Sequence, residues 1–456
     1  MPTRTDIAII GGGPAGLSTA VEAINFNLDI TLVDSYPKTG GQYFKQPPDA
    51  FKSAPPVKHG GADLLKIIDT STIHVYTNTS VWSIFPEEDG YLVCMSGPDD
   101  TPRRILARKV ILAPGAYARP VPFPGWTLPG VMNTGAAMNL IRNQGILPGK
   151  RVLISGTCPM QMLLAAALIR NGAEVVGFLE INPLPWRHWK RLPSFWGQWE
   201  RMIEGAGAVK TMFQSHLGVQ WEHTIYSAEG DGKVERAIIG PVNGSGQTST
   251  VEIDAVCLGY GFIPSIQLST QLGCKHSFHQ LLKCYIPQRN EWLETTRHGV
   301  FMVGDGASFG GKDVAQLEGR LAAIAAARQL NHFAAPSRVD RLRKELITQY
   351  RYVRNLGEMF AYRQEIGKLI TDDTIICRCE EVTAGQIREA IAQGAESVSA
   401  VKNITRAGMG NCQGRMCGDS IAYLISQQTG KAIQKAGRFM AHAPVVPIRL
   451  KNILEE

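Results

Sequence analysis

Long apolar runs are missing from this chain of 456 residues. No stretch approaches the ~18 apolar residues that a membrane-spanning helix needs. The first apolar run, Ile7–Ile10, is short and leads into glycines, so it does not resemble a secretory leader. Nor does a basic stripe with interleaved aromatic side chains accompany the net charge of +7, which argues against a nucleic-acid partner. We expect a cytoplasmic protein without a transmembrane segment.

Paired thiols are also missing from residues 1–330, which contain no C-x-x-C or C-x4-C motif. A disulfide reductase needs two thiols close enough to exchange, so that mechanism is not expected. No Ser-His-Asp or Cys-His set stands out either, and catalytic residues stay unassigned. The isolated cysteines of this part are interpreted as small buried apolar residues; they are Cys94, Cys158, Cys257, Cys274 and Cys284.

The first motif that the sequence contains is a glycine-rich turn near its start. A short apolar strand, Asp6–Ile10, runs into Gly11-Gly-Gly-Pro-Ala-Gly16, a helical pattern and a second strand that ends at Asp34. In such a G-x-G-x-x-G turn, Gly11 permits the tight turn, Gly13 lets a pyrophosphate approach the backbone, and Gly16 lets helix and strand pack closely. Asp34 stands where a carboxylate accepts hydrogen bonds from an adenosine ribose. This frame predicts a dinucleotide site; a glycine-rich turn of another α/β fold is the alternative.

A second strand-helix-strand unit has a damaged fingerprint. After the strand Arg151–Ser155 and Gly156, Cys158 stands where the second glycine belongs and Gln161 where the third belongs. A side chain at the second position obstructs a pyrophosphate, and Gln161 is expected to push helix and strand apart. Glu180 ends the following strand. Two interpretations stay open, an NAD(H) site and a retained fold that binds no nicotinamide nucleotide, and we favour the second.

Four of the nine cysteines form two tight pairs in the last fifth of the chain. Cys377 and Cys379 are separated by one residue, and Cys412 and Cys417 by four, with a glycine loop just before Cys412. Four thiolates suit a [2Fe–2S] cluster or a tetrahedral zinc ion. A C-x-C pair is short for gripping one zinc, and glycine N–H groups can hydrogen-bond the sulfurs of a cluster. We favour the cluster; zinc and free thiols are the alternatives.

Three later segments extend the first glycine motif into the pattern of a known superfamily. They are a glycine loop at Thr39–Phe44, a strand and turn at Lys109–Ala116, and a strand ending in Gly-Asp at Gly299–Asp305. Together with the two strand-helix-strand units, they resemble the glutathione-reductase-like flavoproteins, α/β proteins with two Rossmann-like dinucleotide-binding domains. The resemblance covers residues 1–330 and implies FAD in the first domain.

This resemblance also implies a set of flavin-binding residues. Asp305 would hold the flavin ribitol, with a role as a helix N-cap as the alternative, and Gln42 and Tyr43 would border the flavin. The implied FAD-binding residues are Gly11, Gly13, Pro14, Ala15, Gly16, Asp34, Gly41, Gln42, Val81, Ala113, Gly115, Gly304 and Asp305.

The cysteine-rich segment, Thr374–Gly430, closely resembles small helical [2Fe–2S] domains of the bacterioferritin-associated-ferredoxin type. The resemblance implies that the metal ligands are Cys377, Cys379, Cys412 and Cys417. We expect four regions: an FAD-binding domain at 1–120 and 290–330, a degenerate second nucleotide domain at 121–289, a helical connector at 331–373, and the [2Fe–2S] domain with a C-terminal tail at 374–456.

One family combines these parts in this order, the A (alpha) subunits of multi-subunit amine dehydrogenases. It includes hydrogen cyanide synthase, D-hydroxyproline and proline dehydrogenases, and the opine (octopine and nopaline) oxidases, to whose A subunit the chain is most similar. The resemblance implies an electron-transfer subunit. A partner B (beta) subunit of D-amino-acid-oxidase-like type would oxidise an opine or a related secondary amine. Electrons would then pass through FAD, an FMN at the subunit interface and the cluster.

The damaged fingerprint at Cys158 and Gln161 agrees with a non-NAD acceptor such as a quinone or a dye. Through such an acceptor the chain would associate peripherally with the inner membrane. Some relatives hold another adenine nucleotide in the first site, so FAD at Gly11–Gly16 has that alternative. Two other functions also stay open: a self-contained NADH-dependent flavin and iron–sulfur reductase, and an iron-sensing or scaffold module.

Overall fold

The computed structural model describes residues 2–48, 61–98, 102–184 and 195–454. Within these ranges, a mixed sheet, a parallel sheet and a helical C-terminal unit each pack against apolar clusters of their own. This arrangement confirms the predicted α/β class with two Rossmann-like domains and a small helical unit.

Strands and helices alternate over much of the chain. The strands are β1 Thr3–Ile10, β2 Ile30–Val33, β3 His74–Tyr76, β4 Ser80–Glu87, β5 Gly90–Ser96, β6 Pro102–Leu112, β7 Ala116–Ala118, β8 Val131–Asn133, β9 Arg151–Gly156, β10 Glu174–Glu180, β11 Val219–Trp221, β12 His223–Glu229, β13 Arg236–Pro241, β14 Ser249–Glu252, β15 Ala255–Gly259, β16 Phe262–Pro264, β17 His276–His279, β18 Cys284–Pro287, β19 Val300–Met302, β20 Ile375–Cys377 and β21 Val382–Thr383. The α-helices are α1 Pro14–Ile24, α2 Ala62–Thr70, α3 Thr134–Asn139, α4 Pro159–Arg170, α5 Trp199–Gln214, α6 Gln267–Gln271, α7 Gly311–Gln329, α8 Pro336–Met359, α9 Ala384–Ala392, α10 Val398–Thr405, α11 Gly418–Thr429 and α12 Lys451–Leu454.

The first sheet is built around β1, which pairs in parallel with β2 and β6. β3 and β19 extend the parallel part, and β4, β5 and β6 form an antiparallel meander. Side chains alternate along β1: Ile7 and Ile9 enter one core with residues of α1 and α7, while Ala8 and Ile10 enter the core on the opposite face. Burial of both faces explains why this strand is a continuous apolar run.

The second sheet is parallel throughout, in the order β11-β10-β9-β15-β8. The helix α4 joins β9 to β10, as the second strand-helix-strand pattern predicts, and it begins at Pro159. An antiparallel ribbon of β7 and β16 runs between the two sheets. Because β7 leads out of the first domain and β16 leads back, this ribbon links the two dinucleotide-binding folds.

The C-terminal unit consists of α9, α10, α11 and the hairpin β20–β21 around a separate core. The helices α9 and α10 fill the interval between the two cysteine pairs. Beyond this unit the chain returns to the first domain, where the N–H of Val445 donates to the carbonyl oxygen of Trp82 at 2.8 Å. The Asn452 side chain also donates to the Ser96 hydroxyl at 2.6 Å. The tail therefore ties the cysteine-rich unit to the first sheet.

Candidate cofactor sites

The predicted glycine turn joins β1 to α1. Gly11 has a φ of +109°, and a Cβ atom there would overlap the carbonyl oxygen of Ala113. A Cβ atom on Gly16 would overlap the carbonyl oxygen of Gly11, so helix and strand touch at backbone distance. Gly13 is the N-cap of α1 and Pro14 its first residue. Because glycine has no side chain to cap the helix, the first N–H groups of α1 stay available to a phosphate.

Asp34 lies beside this turn at the end of β2. Its Oδ2 atom accepts the N–H of Gly12 at 2.7 Å, and its Oδ1 atom accepts the N–H of Tyr36 at 2.8 Å. Burial raises the pKa of the carboxyl group, and the two hydrogen bonds oppose the rise. Gly41 approaches from the other side, where a Cβ atom would lie 2.7 Å from the Cα atom of Gly13. Each carboxylate oxygen accepts more than one hydrogen bond, so Asp34 is fixed and can still accept a ribose hydroxyl.

The Gly-Asp pair at the end of β19 reaches the same place. Gly304 has a φ of +65°, and a Cβ atom there would lie 2.9 Å from the Cβ atom of Ala15 on α1. Both hydrogen bonds of Asp305 go to its Oδ1 atom, from the N–H groups of Gly310 and Gly311 at 2.9 Å. These two groups open α7, so Asp305 caps that helix. The capping leaves the Oδ2 atom for a flavin hydroxyl, and the two roles are therefore compatible.

A buried ionic network holds the Gly-Asp turn in place, and the sequence analysis missed it. Glu318 on α7 is fully buried and accepts the N–H of Gly304 at 2.7 Å. The Arg289 guanidinium donates to both oxygens of that carboxylate, at 2.9 and 3.2 Å. It also donates to the carbonyl oxygen of Met302. The Tyr350 hydroxyl of α8 donates to the same carboxylate. The one signal in the sequence is an acid placed in the otherwise apolar, alanine-rich stripe of α7.

Three other residues predicted at the first site lie in the connection from β6 to β7 or on β4. Ala113 donates its N–H to the carbonyl oxygen of Ile10 at 2.8 Å, which fixes it against the glycine turn. Gly115 has a φ of +71°, and a Cβ atom there would meet no heavy atom within 4 Å. Val81 is the second residue of β4 and lies in the same apolar cluster as Ile10 and Val33. The chain therefore passes the turn closely at Ala113 and leaves open space at Gly115.

The loop after β2 faces the second domain. The Gln42 side chain donates to the Tyr36 hydroxyl at 2.7 Å and accepts from Asn139 of α3 at 3.2 Å. The Tyr43 ring lies 5.5 Å from the ammonium group of Lys312 at the start of α7. The glycine turn, Asp34, Gly41, Ala113 and the Gly-Asp pair thus lie together, while Gln42 bridges the domains. We propose the predicted set as the residues that hold FAD.

In the second fingerprint, the Gln161 side chain occupies the space that a glycine would leave open. Gln161 is fully buried, and its amide atoms have no hydrogen-bond partner among the described residues. A Cβ atom on Gly156 would lie 2.9 Å from the Gln161 amide nitrogen, and one on Gly259 would lie 2.8 Å from its Cγ atom. Glycines on β9 and β15 thus make room for Gln161. The expectation that Gln161 pushes helix and strand apart is therefore wrong. Burial also raises the pKa of the Cys158 thiol, the N-cap of α4, to about 12.

Glu180, where a nicotinamide-nucleotide ribose would bind, is sealed off. It is 2% exposed, and its Oε1 atom accepts both the N–H and the side-chain amide of Asn182, at 2.9 and 3.1 Å. The same amide donates to the Thr157 hydroxyl at 2.7 Å and to the carbonyl oxygen of Ala361, beyond α8, at 3.1 Å. Burial raises the pKa of Glu180 to about 7. The segment after α8 therefore covers the carboxyl end of this sheet.

The four C-terminal cysteines come together as two pairs. The Cys417 thiol donates to the sulfur of Cys377, which lowers the pKa of Cys377 to about 5 although burial opposes the shift. The thiols of Cys379 and Cys412 are hydrogen-bonded to each other. Cys377 and Cys417 are buried, Cys412 is half-buried and Cys379 is exposed. Four cysteine sulfurs brought together in two pairs form the donor set of a [2Fe–2S] cluster, and we propose these four residues as its ligands.

A glycine loop closes around the cysteines. The N–H of Gly408 points to the sulfur of Cys377 at 3.5 Å. A Cβ atom on Gly410 would overlap that of Cys379, and Cβ atoms on Gly408 and Gly414 would press on the ring of Phe439. The loop is therefore clamped between the cysteine hairpin and the C-terminal tail, with backbone donors turned to sulfur. Such donors stabilise a metal-bound thiolate.

Among the described residues, no three His, Cys, Asp or Glu side chains converge as ligands of a single metal ion. None of the helices in the described ranges is long and apolar enough to cross a bilayer.

Comparison with known proteins assigns both parts of the chain. Residues 5–329 match the family model described as pyridine nucleotide-disulphide oxidoreductase, and residues 375–427 match the BFD-like [2Fe-2S] binding domain. The opine oxidase A subunit of Agrobacterium tumefaciens (strain Ach5) is 30% identical over 98% of this chain and 91% of its own. Hydrogen cyanide synthase subunit HcnB of Pseudomonas aeruginosa is 28% identical over 96% of each chain.

Solved structures agree on the fold. L-proline dehydrogenase from P. horikoshii superposes with a TM-score of 0.72 at 22% identity, over 99% of this chain and 80% of that one. Thioredoxin reductase from T. acidophilum superposes with a TM-score of 0.54 at 18% identity, over 72% of this chain and 99% of that one. The two domains identified here are those that hold FAD and a [2Fe–2S] cluster. The chain therefore belongs to the pyridine nucleotide-disulphide oxidoreductases and, with its BFD-like [2Fe–2S] domain, to the family of the opine oxidase A subunits.

Proposed function

We propose that this subunit of a flavin and [2Fe–2S] oxidoreductase is the electron-transfer half of a heteromeric dehydrogenase. Its partner, a beta subunit of D-amino-acid-oxidase-like type, removes two electrons and two protons from the C–N bond of an opine such as octopine or nopaline, or of a related secondary amine. Water then hydrolyses the resulting imine to an amino acid and a keto acid. FAD exchanges two electrons when bound, and the cluster exchanges one.

The observation that carries the proposal is the attachment of the cysteine-rich unit to both dinucleotide-binding domains. The indole N–H of Trp126, in the second domain, donates to the carbonyl oxygen of Ile375 on β20 at 2.6 Å. Arg415, between the last two cysteines, donates to the carbonyl oxygen of Val445 in the tail that covers the first sheet. A cluster held this rigidly beside the flavin fold, with Cys379 exposed, is suited to pass electrons outward.

Relatives support the heteromer, since two of them, HcnB of hydrogen cyanide synthase and the opine oxidase A subunit, are by name parts of larger enzymes. The sealed second nucleotide site supports an acceptor other than NAD. Gln161 fills the glycine position, and Glu180 is bound to Asn182. A nicotinamide nucleotide would have to displace both. We therefore favour a quinone-like acceptor, reached by peripheral association with the inner membrane, over a self-contained NADH-dependent reductase.

The test is reconstitution of the complex. We expect the purified chain alone to reduce no dye with octopine, nopaline or NADH, and expect opine-dependent dye reduction once it is co-produced with its beta subunit. FMN released from the complex but not from the chain alone would support an interfacial flavin. Dye reduction by the isolated chain with NADH would instead establish the self-contained reductase, and opine oxidation by the chain alone would overturn the division of labour.

A further inference from the structure

The ribbon between the two dinucleotide folds begins at the flavin site. β7 follows Gly115 directly and pairs with β16, with Tyr117 opposite Ile263. At its far end, the N–H of Arg119 donates to the carbonyl oxygen of Gly261 at 2.9 Å. The backbone of Arg119 is thus fixed only four residues from the turn that leaves space for the flavin.

The Arg119 side chain is buried where three parts of the chain meet. Its guanidinium donates through Nη1 to the carboxylate of Asp419 and through Nη2 to the carbonyl oxygen of Leu282, both at 2.5 Å. The same group lies 4.6 Å over the ring of Tyr362, in the segment after α8. The side chain is 3% exposed. A guanidinium removed from water in this way keeps its geometry only while a carboxylate neutralises it.

Asp419 lies in the first turn of α11, and the N-cap of α11 is Cys417. The carboxylate is therefore two residues from a cluster ligand, while Arg119 is four residues from the flavin turn. The pair is a short side-chain link between the two cofactor sites. It differs from the ion pair of Arg388 on α9 with Asp372, which joins the C-terminal unit only to the connector just before it and is more exposed.

We propose that Arg119 is a positioning residue that fixes the N-terminal end of α11, and with it Cys417, at a set separation from the flavin turn. This role rests on the proposed function, in which one electron leaves the reduced flavin and the same electron reduces the oxidised cluster, with no atom exchanged between them. The rate of such a step depends on how closely the two groups are held, as in other reactions where small displacements have large effects.

The experiment compares Asp419→Ala and Arg119→Lys with the matched control Asp372→Ala, all in the cofactor-loaded protein. Lys keeps the positive charge but lacks the rigid planar fork that spans Asp419 and Leu282. After photochemical reduction of the flavin, we expect electron arrival at the cluster to slow at least about tenfold in the two Arg119–Asp419 variants. Flavin, iron and sulfide contents and the cluster EPR signal should not change, and the control should transfer electrons as the wild type does.

Hydrogen exchange of the cluster-free protein gives a second readout. Amides of β7 and of the first turn of α11 should exchange faster in Asp419→Ala than in the wild type or the control. Wild-type transfer rates with wild-type exchange would overturn the proposal, and so would an equal slowing in Asp372→Ala. If the wild-type cluster is never reduced by the flavin, the proposed function fails, and the exchange data alone decide whether Arg119 positions α11.

Discussion

Replacing Glu180 by Gln tests whether the second nucleotide site is sealed. Glu180 is 2% exposed, and burial raises its pKa to about 7 from 4.5, against the opposing hydrogen bonds of Asn182. Between these two values the folded protein keeps a proton that the unfolded chain has lost. The contribution of Glu180 to stability therefore falls as pH rises through this window, and above pH 7 a buried anion opposes folding.

The magnitude follows from the size of the pKa shift. At 1.36 kcal/mol per pKa unit, a shift from 4.5 to about 7 corresponds to about 3 kcal/mol. Gln has the same shape and does not titrate, so Glu180→Gln should gain about 3 kcal/mol relative to the wild type between pH 4.5 and pH 8. For a domain of this size that is a relative rise of roughly 6–12 °C in the melting temperature.

The assay is thermal unfolding of both proteins at about pH 5 and about pH 8. The quantity compared is the difference between their melting temperatures at each pH. Glu174→Gln serves as the control, because Glu174 opens the same strand with its side chain 68% exposed, and we expect no such change there. The same melting-temperature difference between wild type and Glu180→Gln at both pH values would refute the reasoning. Such a result would mean that Glu180 is hydrated and the carboxyl end of the sheet is open.

Three further substitutions address the two cofactor sites. Gly16→Ala places a Cβ atom onto the Gly11 carbonyl oxygen, so we expect a loss of at least about 2 kcal/mol in unfolding free energy and little bound flavin. The control Gly205→Ala lies on α5, where a Cβ atom meets nothing within 4 Å; it should retain the flavin and raise the unfolding free energy by up to about 1 kcal/mol through helix propensity. Cys412→Ser should abolish bound iron and sulfide while flavin is retained, and unchanged iron would exclude Cys412 as a ligand. Glu318→Gln should cost about 3–5 kcal/mol in denaturant unfolding, because Arg289 is left buried without its carboxylate; an unfolding free energy within about 1 kcal/mol of wild type would show that the network does not hold the Gly-Asp turn.

The glycine turn of the first candidate site could be predicted from the sequence because its determinants are local. A strand, a tight turn and a helix follow one another from Asp6 to Ile24, and the glycines are required by backbone contacts inside that unit. The same holds for the cysteine pairs, where spacing alone limits the donor set. Asp34 is also predictable, since β2 delivers it to the turn by parallel pairing with β1.

What the sequence could not supply depends on distant contacts. The contact of Asn182 with the carbonyl oxygen of Ala361 spans 179 residues and that of Arg119 with Asp419 spans 300. Contacts between residues so far apart leave no periodic pattern in the sequence. From the damaged fingerprint we expected Gln161 to push helix and strand apart, and this was wrong, because glycines on two different strands make room for its side chain. The Glu318 network was missed because it joins three separate segments of the chain.

The central claim is that one chain holds a flavin and a [2Fe–2S] cluster and passes electrons between them. The most direct test is a visible and EPR spectrum of anaerobically purified protein, with flavin, iron, sulfide and zinc assayed on the same sample. We expect at least one flavin, about two irons and about two sulfides per chain, since a [2Fe–2S] centre contains two of each, and an EPR signal that appears on reduction. Zinc with flavin, or a cluster without flavin, would contradict the account.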